Sequence, residues 1–190
     1  MTTIALVRKN GFAAIAADTL TTFGNQKETA ERVVNHQKLF KFKESYLAFS
    51  GWGGFQQALE DFFATTREKI LLDSVENIFR ASLVLHEALK EKYYLRPYDS
   101  DSDTFESSRG LIMIANPHGI FSVSDYRFVQ EHTRFAADGS GSDYALGAMH
   151  TIYDDPKLSA KEIVVTGVNS AAEFDTGTGL PLTCQTVQLR

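Results

Sequence analysis

The order of elements along this chain predicts an α+β fold, a four-layer αββα sandwich of two antiparallel sheets between helix pairs. Three observations carry that prediction. Asn10-Gly11 lies between two apolar runs, and this dipeptide suits a two-residue hairpin turn because both central positions need φ > 0. Helical periodicity is confined to two pairs of segments. Strand patterns stand before the first pair, between the pairs and after the second.

Thr2 to Lys9 reads as the first strand and Phe12 to Asp18 as its returning partner. With a two-residue turn, Lys9 faces Phe12, and the pairing runs back through Leu6 with Ile15 to Thr3 with Asp18. Asp18 then lies a strand spacing of ~5 Å from the start of the first strand. Strict alternation puts it on the face of Thr3, so a relay to Thr2 through a third group is expected ahead of a direct hydrogen bond. Thr21 to Asn35 carries charges with little periodicity and reads as irregular or partly extended. Lys38 to Phe42 and Tyr46 to Ser50 make a second hairpin, turning near Lys43-Glu44.

Gly51-Trp52-Gly53-Gly54 breaks the chain, and Phe55, Leu59, Phe62 and Phe63 then recur at helical steps. A second helix over Ser74 to Tyr93 takes Val75, Ile78, Phe79, Leu83, Leu85 and Leu89 as its apolar positions. Pro97 to Arg109 is polar and acidic and reads as a surface loop. Leu111 to Ala115 and Ile120 to Val123 are strands joined at Asn116-Pro117-His118-Gly119. Arg134 to Ala137 is a strand leading into Gly139-Ser140-Gly141-Ser142, and Tyr144 to Tyr153 is helical. Ser159 caps a last helix, with Glu162 at the capping-box position and an end near Ala172. Asp175 to Gly179 is a tight loop, and Leu182 to Leu189 closes the fold.

The 190 residues make a single domain, 1–190, with no internal repeat or linker. A formal net charge of −5 and no Lys/Arg block argue against nucleic acid as the main partner. The lone cysteine, Cys184, rules out an intrachain disulfide framework and fits a reducing cytoplasm. No apolar run approaches the ~18 residues of a membrane span, and no signal peptide is read before the first strand. The histidines lack metal-ligand spacing, so no metal and no cofactor are expected, and Gly-x-Ser-x-Gly is absent.

The chemistry-bearing feature is the beginning. Removal of Met1, expected before a residue as small as Thr2, would leave an α-amine and a hydroxyl on one residue, a self-contained base and nucleophile. An α-amine with a pKa of about 8 is a usable base near neutrality. A buried Lys38 ammonium beside Thr2 would lower that pKa, and it would need a carboxylate such as Asp18 to stay charged. Ordinary readings stand beside these: Lys38 as a surface lysine among Lys41 and Lys43, Asp18 and Gly51 as strand ends, Ser140 as a helix cap, Asp175 as a turn former.

Six short segments, in order, resemble the β-type subunits of the proteasome and the bacterial heat-shock-locus V peptidase, which are N-terminal-nucleophile hydrolases. They are Thr2-Thr3-Ile4, Ala16-Ala17-Asp18, Lys38-Leu39-Phe40, Ser50-Gly51, Gly139-Ser140-Gly141-Ser142 and Asp175-Thr176-Gly177-Thr178-Gly179. The chain looks most similar to the bacterial proteasome homologues of this group. The resemblance implies Thr2 as nucleophile, Asp18 and Lys38 as the charged pair beneath it, and the Gly51 N–H as oxyanion donor. It implies Ser140, Asp175 and Thr178 as the groups that orient the amine and its water. Thr22 and the Gly51 segment would offer main-chain bonds to an extended substrate. Phe49 and Trp52 beside Gly51 are read as shaping the first specificity pocket, with core packing as the alternative for Phe49. More residues separate Asp18 from Lys38 than in the family pattern, and alignment by distance alone would choose Val34. Thr178 stands where the family usually carries serine.

The same resemblance implies a cytoplasmic threonine-type endopeptidase subunit of homo-oligomeric stacked rings, hexameric or heptameric, acting on unfolded polypeptide with an ATP-dependent unfoldase as partner. The alternatives are a catalytically silent ring or scaffold subunit and a small-molecule amidase of the same superfamily.

Overall fold

The computed structural model describes residues 2–96 and 104–190, so the expected loss of Met1 and the first part of the expected loop after Pro97 lie outside the described residues. β1 (Thr3–Lys9) and β2 (Phe12–Asp18) form the first hairpin in the expected register, Ile4 facing Ala17 and Lys9 facing Phe12. Asn10 and Gly11 take φ of 50° and 77°, as the turn requires. A small separate hairpin, β3 (Thr21–Phe23) with β4 (Gln26–Glu28), lies inside the segment read as irregular. The second main hairpin is β5 (Leu39–Phe42) with β6 (Ser45–Ser50). Two helices follow, α1 (Gly53–Thr65) and α2 (Val75–Glu91).

Next come β7 (Leu111–Asn116), β8 (Gly119–Val123), β9 (Val129–His132) and β10 (Phe135–Gly139). The chain ends with α3 (Ser142–Ile152), α4 (Ala160–Phe174) and β11 (Leu182–Gln188). One sheet has the order β10-β1-β2-β11 and the other β5-β6-β7-β8-β9, all pairs antiparallel.

Alternation in β1 divides the core. Ile4 and Leu6 face the second sheet and meet Ala48, Met113 and Ile120. Ala5 and Val7 face α3 and α4, where Met149, Ile163, Val164 and Val168 pack. The alanines of β2 let both neighbouring layers approach closely, and every residue from Ala13 to Ala17 is fully buried. On the far side, α1 and α2 cover the five-stranded sheet through Leu47, Phe49, Phe121, Leu59, Ile78 and Leu85. The layers are therefore helices, sheet, sheet, helices, as the element order predicts.

Three details differ from the expectation. β9 was not expected, because an edge strand with only Val129 buried leaves no periodic signal in Val-Gln-Glu-His. In α2, Phe79 and Leu83 point outward, while Ala81, Ser82 and His86 join Ile78, Leu85 and Leu89 on the buried face. Polar residues can occupy that face because they are partnered: His86 bonds Ser108 at 2.8 Å and Glu106 at 3.0 Å. The capping box of Ser159 and Glu162 is present, and α4 runs past Ala172 to Phe174.

Candidate active site

Thr2 directly precedes β1 and is buried. Its carbonyl accepts the backbone N–H of Ser140 at 2.9 Å. Gly139 makes that approach possible: it sits at φ 100°, and a Cβ there would lie 1.9 Å from the Thr2 carbonyl oxygen. The start of the chain is thus held by β10 on one side and by β2 on the other.

Asp18, at the end of β2, has no exposed surface and accepts from every side. Its Oδ1 takes the Thr3 N–H at 2.9 Å and the Lys38 ammonium at 2.7 Å. Its Oδ2 takes the N–H of Leu20 at 3.0 Å and of Gly179 at 3.2 Å. Lys38 also donates to the Leu20 carbonyl at 2.7 Å and is only 7 % exposed. The ammonium and the Thr3 N–H share one carboxylate oxygen, so the cation stands beside the peptide joining Thr2 to Thr3. Asp18 thus holds both the Thr3 backbone and the Lys38 ammonium. Burial draws the Lys38 pKa below its ordinary value, outweighing the attraction and hydrogen bond of Asp18. Val34, which spacing alone would put in this role, is 97 % exposed. The extra residues before Lys38 are taken up by the β3–β4 hairpin and the turns that follow it.

A second carboxylate organises the other side. Asp175, at the C-terminus of α4, accepts Ser140 Oγ at 2.7 Å and Thr178 Oγ1 at 2.6 Å on the same oxygen. Thr178 Oγ1 also meets Thr3 Oγ1 at 2.6 Å. Since the Thr178 hydrogen goes to Asp175, Thr3 is the donor in that contact. Burial pushes the Asp175 carboxyl up, but the hydroxyls of Ser140 and Thr178 and the backbone N–H of Gly177 together hold it below the usual carboxylate range. Thr3 is the residue that sequence reasoning missed. The signal was available, since Thr3 shares its face with Asp18 and cannot be an ordinary core residue there.

Gly51 follows β6 at φ 152°, and a Cβ on it would lie 2.3 Å from the Phe49 ring. Of the two readings of Phe49, pocket wall and core packing, the structure takes the second. Phe49 is 4 % exposed and stacked on Phe55 at 4.2 Å in the core under Gly51, so its ring supports the strand end and is no wall of an open pocket. Trp52 is 79 % exposed beside Gly51. Thr22 is half-buried on β3, across from Lys27. A cavity of about 520 Å³ opens next to this region, lined by Ser50, Trp52, Arg109, Gly110, Asp125 and Asp138 among others.

The structure therefore brings Thr2, Asp18, Lys38, Ser140, Asp175 and Thr178 together at one end of the two central sheets. A buried ammonium beside a threonine, with carboxylates bracketing it, can activate a hydroxyl for attack on a carbonyl.

No family model matches the chain. A solved structure of Thiobacillus denitrificans BPH in complex with epoxomicin is 47 % identical, covers 100 % of both chains and superposes with a TM-score of 0.94. The chain belongs to the proteasome-like threonine peptidases. Also similar is the ATP-dependent protease subunit HslV of Aquifex aeolicus, 27 % identical over 91 % of this chain and 90 % of that protein. Eukaryotic HslV from Trypanosoma brucei, at 17 % identity, shares the fold, with a TM-score of 0.70 over 98 % of this chain and 99 % of its own. In this peptidase no helix among the described residues is long and apolar enough to cross a membrane.

Proposed function

We propose that the mature chain is an endopeptidase whose Thr2 hydroxyl attacks the scissile carbonyl. The hydroxyl proton passes to the α-amine freed by loss of Met1, and a tetrahedral oxyanion forms within reach of the Gly51 N–H. Collapse breaks the C–N bond, the leaving amine takes the proton, and the ester left on Thr2 is cleaved by water. Lys38 favours charge on the threonine oxygen, Asp18 keeps the lysine in place, and Ser140, Asp175 and Thr178 orient the amine and water. The single observation that carries this reading is the buried Lys38–Asp18 pair, 2.7 Å across, beside the first residue of β1.

Substrate binds in this reading as an added strand along Thr22 and the Gly51 segment, with Trp52 near its side chains, so unfolded polypeptide of varied sequence is accepted. The chain works as stacked homo-oligomeric rings of six or seven subunits in the cytoplasm, fed by an ATP-dependent unfoldase. Similarity to the Aquifex ATP-dependent protease subunit supports that partnership. The test is cleavage of casein or a fluorogenic peptide by wild type and Thr2→Ala, with mass spectrometry of the N-terminus. Loss of Met1 from wild type and abolished cleavage in Thr2→Ala are expected. Cleavage that survives Thr2→Ala overturns the assignment.

A further inference from the structure

Ser50 and Asp138 belong to different sheets and have no part in the scheme so far. Ser50 ends β6 immediately before Gly51. Asp138 lies on β10 across from Ile4, next to the Gly139 that faces Thr3. Alternation points both side chains between the sheets: Ala48 and Ala136, two residues earlier on the same strands, belong to the inter-sheet core. There the Ser50 hydroxyl donates to Asp138 Oδ2. The remainder of that layer is built from Ile4, Leu6, Ile15, Met113 and Ile120, so this is a polar tie in an apolar seam. It sits at the end of the seam where the nucleophile strand and the strand leading to Gly51 come together, and both residues line the adjoining cavity.

We infer that the Ser50–Asp138 bridge is a positioning element that sets the gap between Thr2 and the Gly51 N–H; this rests on the reading of Thr2 as nucleophile and Gly51 as oxyanion donor. Gly51 lies just past the last residue of β6, on the Phe49 ring. A hydroxyl–carboxylate bond is charge-assisted and directional, so it fixes the end of β6 against β10. The extended substrate binds through strand edges with or without the bridge. Alignment of the Gly51 N–H matters only when the oxyanion develops, and a misplacement of about 1 Å costs on the order of 10²-fold in rate. The effect therefore falls on kcat and leaves KM alone.

The experiment measures kcat and KM on a fluorogenic peptide, in the assembled full-length protein, for Ser50→Ala, Asp138→Ala, the double variant and Asp138→Asn. Each alanine variant is expected to lower kcat about tenfold to a hundredfold with KM within about threefold. The double variant is expected to be no worse than either single one. Asp138→Asn keeps an acceptor oxygen and restores most of the loss. Should alanine disturb assembly, Ser50→Cys, of similar size with a weak donor, carries the same expectation. Wild-type kcat in the alanine variants, a loss confined to KM, additive losses, or a lower Tm with unchanged kcat each overturn the inference. Activity in a parallel Thr2→Ala control overturns the nucleophile reading instead, whatever the bridge variants do.

Discussion

Asp18→Asn tests the centre of the site with almost no change in shape. The carboxylate has two oxygens, and each accepts from two donors: Thr3 N–H and Lys38 on one, Leu20 N–H and Gly179 N–H on the other. An asparagine amide has one acceptor oxygen and one NH₂. Whichever way it is turned, its NH₂ meets two donors that have no other acceptor supplied by that side chain. The substitution also removes the counter-charge of a buried ammonium. Breaking one half of a buried pair costs about 3–5 kcal/mol. Deprotonation of Lys38 limits the cost, since neutralising a group of ordinary pKa 10.5 at pH 7 takes roughly 5 kcal/mol at about 1.4 kcal/mol per pH unit. For a domain of this size the melting temperature should fall by about 6–20 °C at matched protein concentration. A neutral lysine no longer favours charge on the Thr2 oxygen, so kcat should fall by at least about a hundredfold. Differential scanning calorimetry and peptide hydrolysis read the two effects, with Asp143→Asn, at an exposed position, as the control. A variant within about 2 °C and about twofold of wild type would refute the reasoning, because four satisfied bonds and a buried charge pair could not then be worth what their geometry implies.

Two more outcomes rest on single positions. Gly51→Ala forces a Cβ to 2.3 Å from the confined Phe49 ring and 3.3 Å from the Arg109 carbonyl, at a φ that side chains rarely adopt. The strand end must move, and kcat should drop about 10²–10³-fold; a variant with wild-type kcat argues that the Gly51 N–H does not bind the oxyanion. Asp175 carries a folded-state pKa below its ordinary 3.8, so its ionised form contributes stability that is present above that value and lost as pH falls through the folded one. In urea denaturation the gap between wild type and Asp175→Asn should therefore be widest near neutrality and shrink below about pH 3.8; a gap that stays constant to pH 3 removes the proposed hydrogen-bonding role of the carboxylate.

The parts legible beforehand share a cause. The Asn10-Gly11 turn, the register that sets Asp18 across from Thr3, and the Ser159–Glu162 cap depend on residues within one hairpin or one helical turn. Phe79 and Leu83 misled because apolar spacing on α2 marks two candidate faces; the buried one packs Ile78, Ala81, Leu85 and Leu89 on the sheet, and it can include His86 because the loop near Ser108 supplies that side chain's partners. Phe49 stayed open between pocket and core for a similar reason: its place beside Gly51 in the chain says nothing of which side of the sheet its ring occupies, and alternation from Leu47 sends it to the helices.

Residue order alone determined the layered architecture and the strand that presents Thr2, because backbone geometry imposes periods of 2 and 3.6 on any chain; the groups near Thr2 were implied only by the resemblance. Packing of the layers decided the rest. It brought Lys38 rather than Val34 to Asp18, set Thr3 against Thr178 from the far end of the chain, and joined Ser50 to Asp138 between the sheets. A buried polar group must find its partner wherever the fold delivers one, and no local pattern records a contact between residues 175 positions apart.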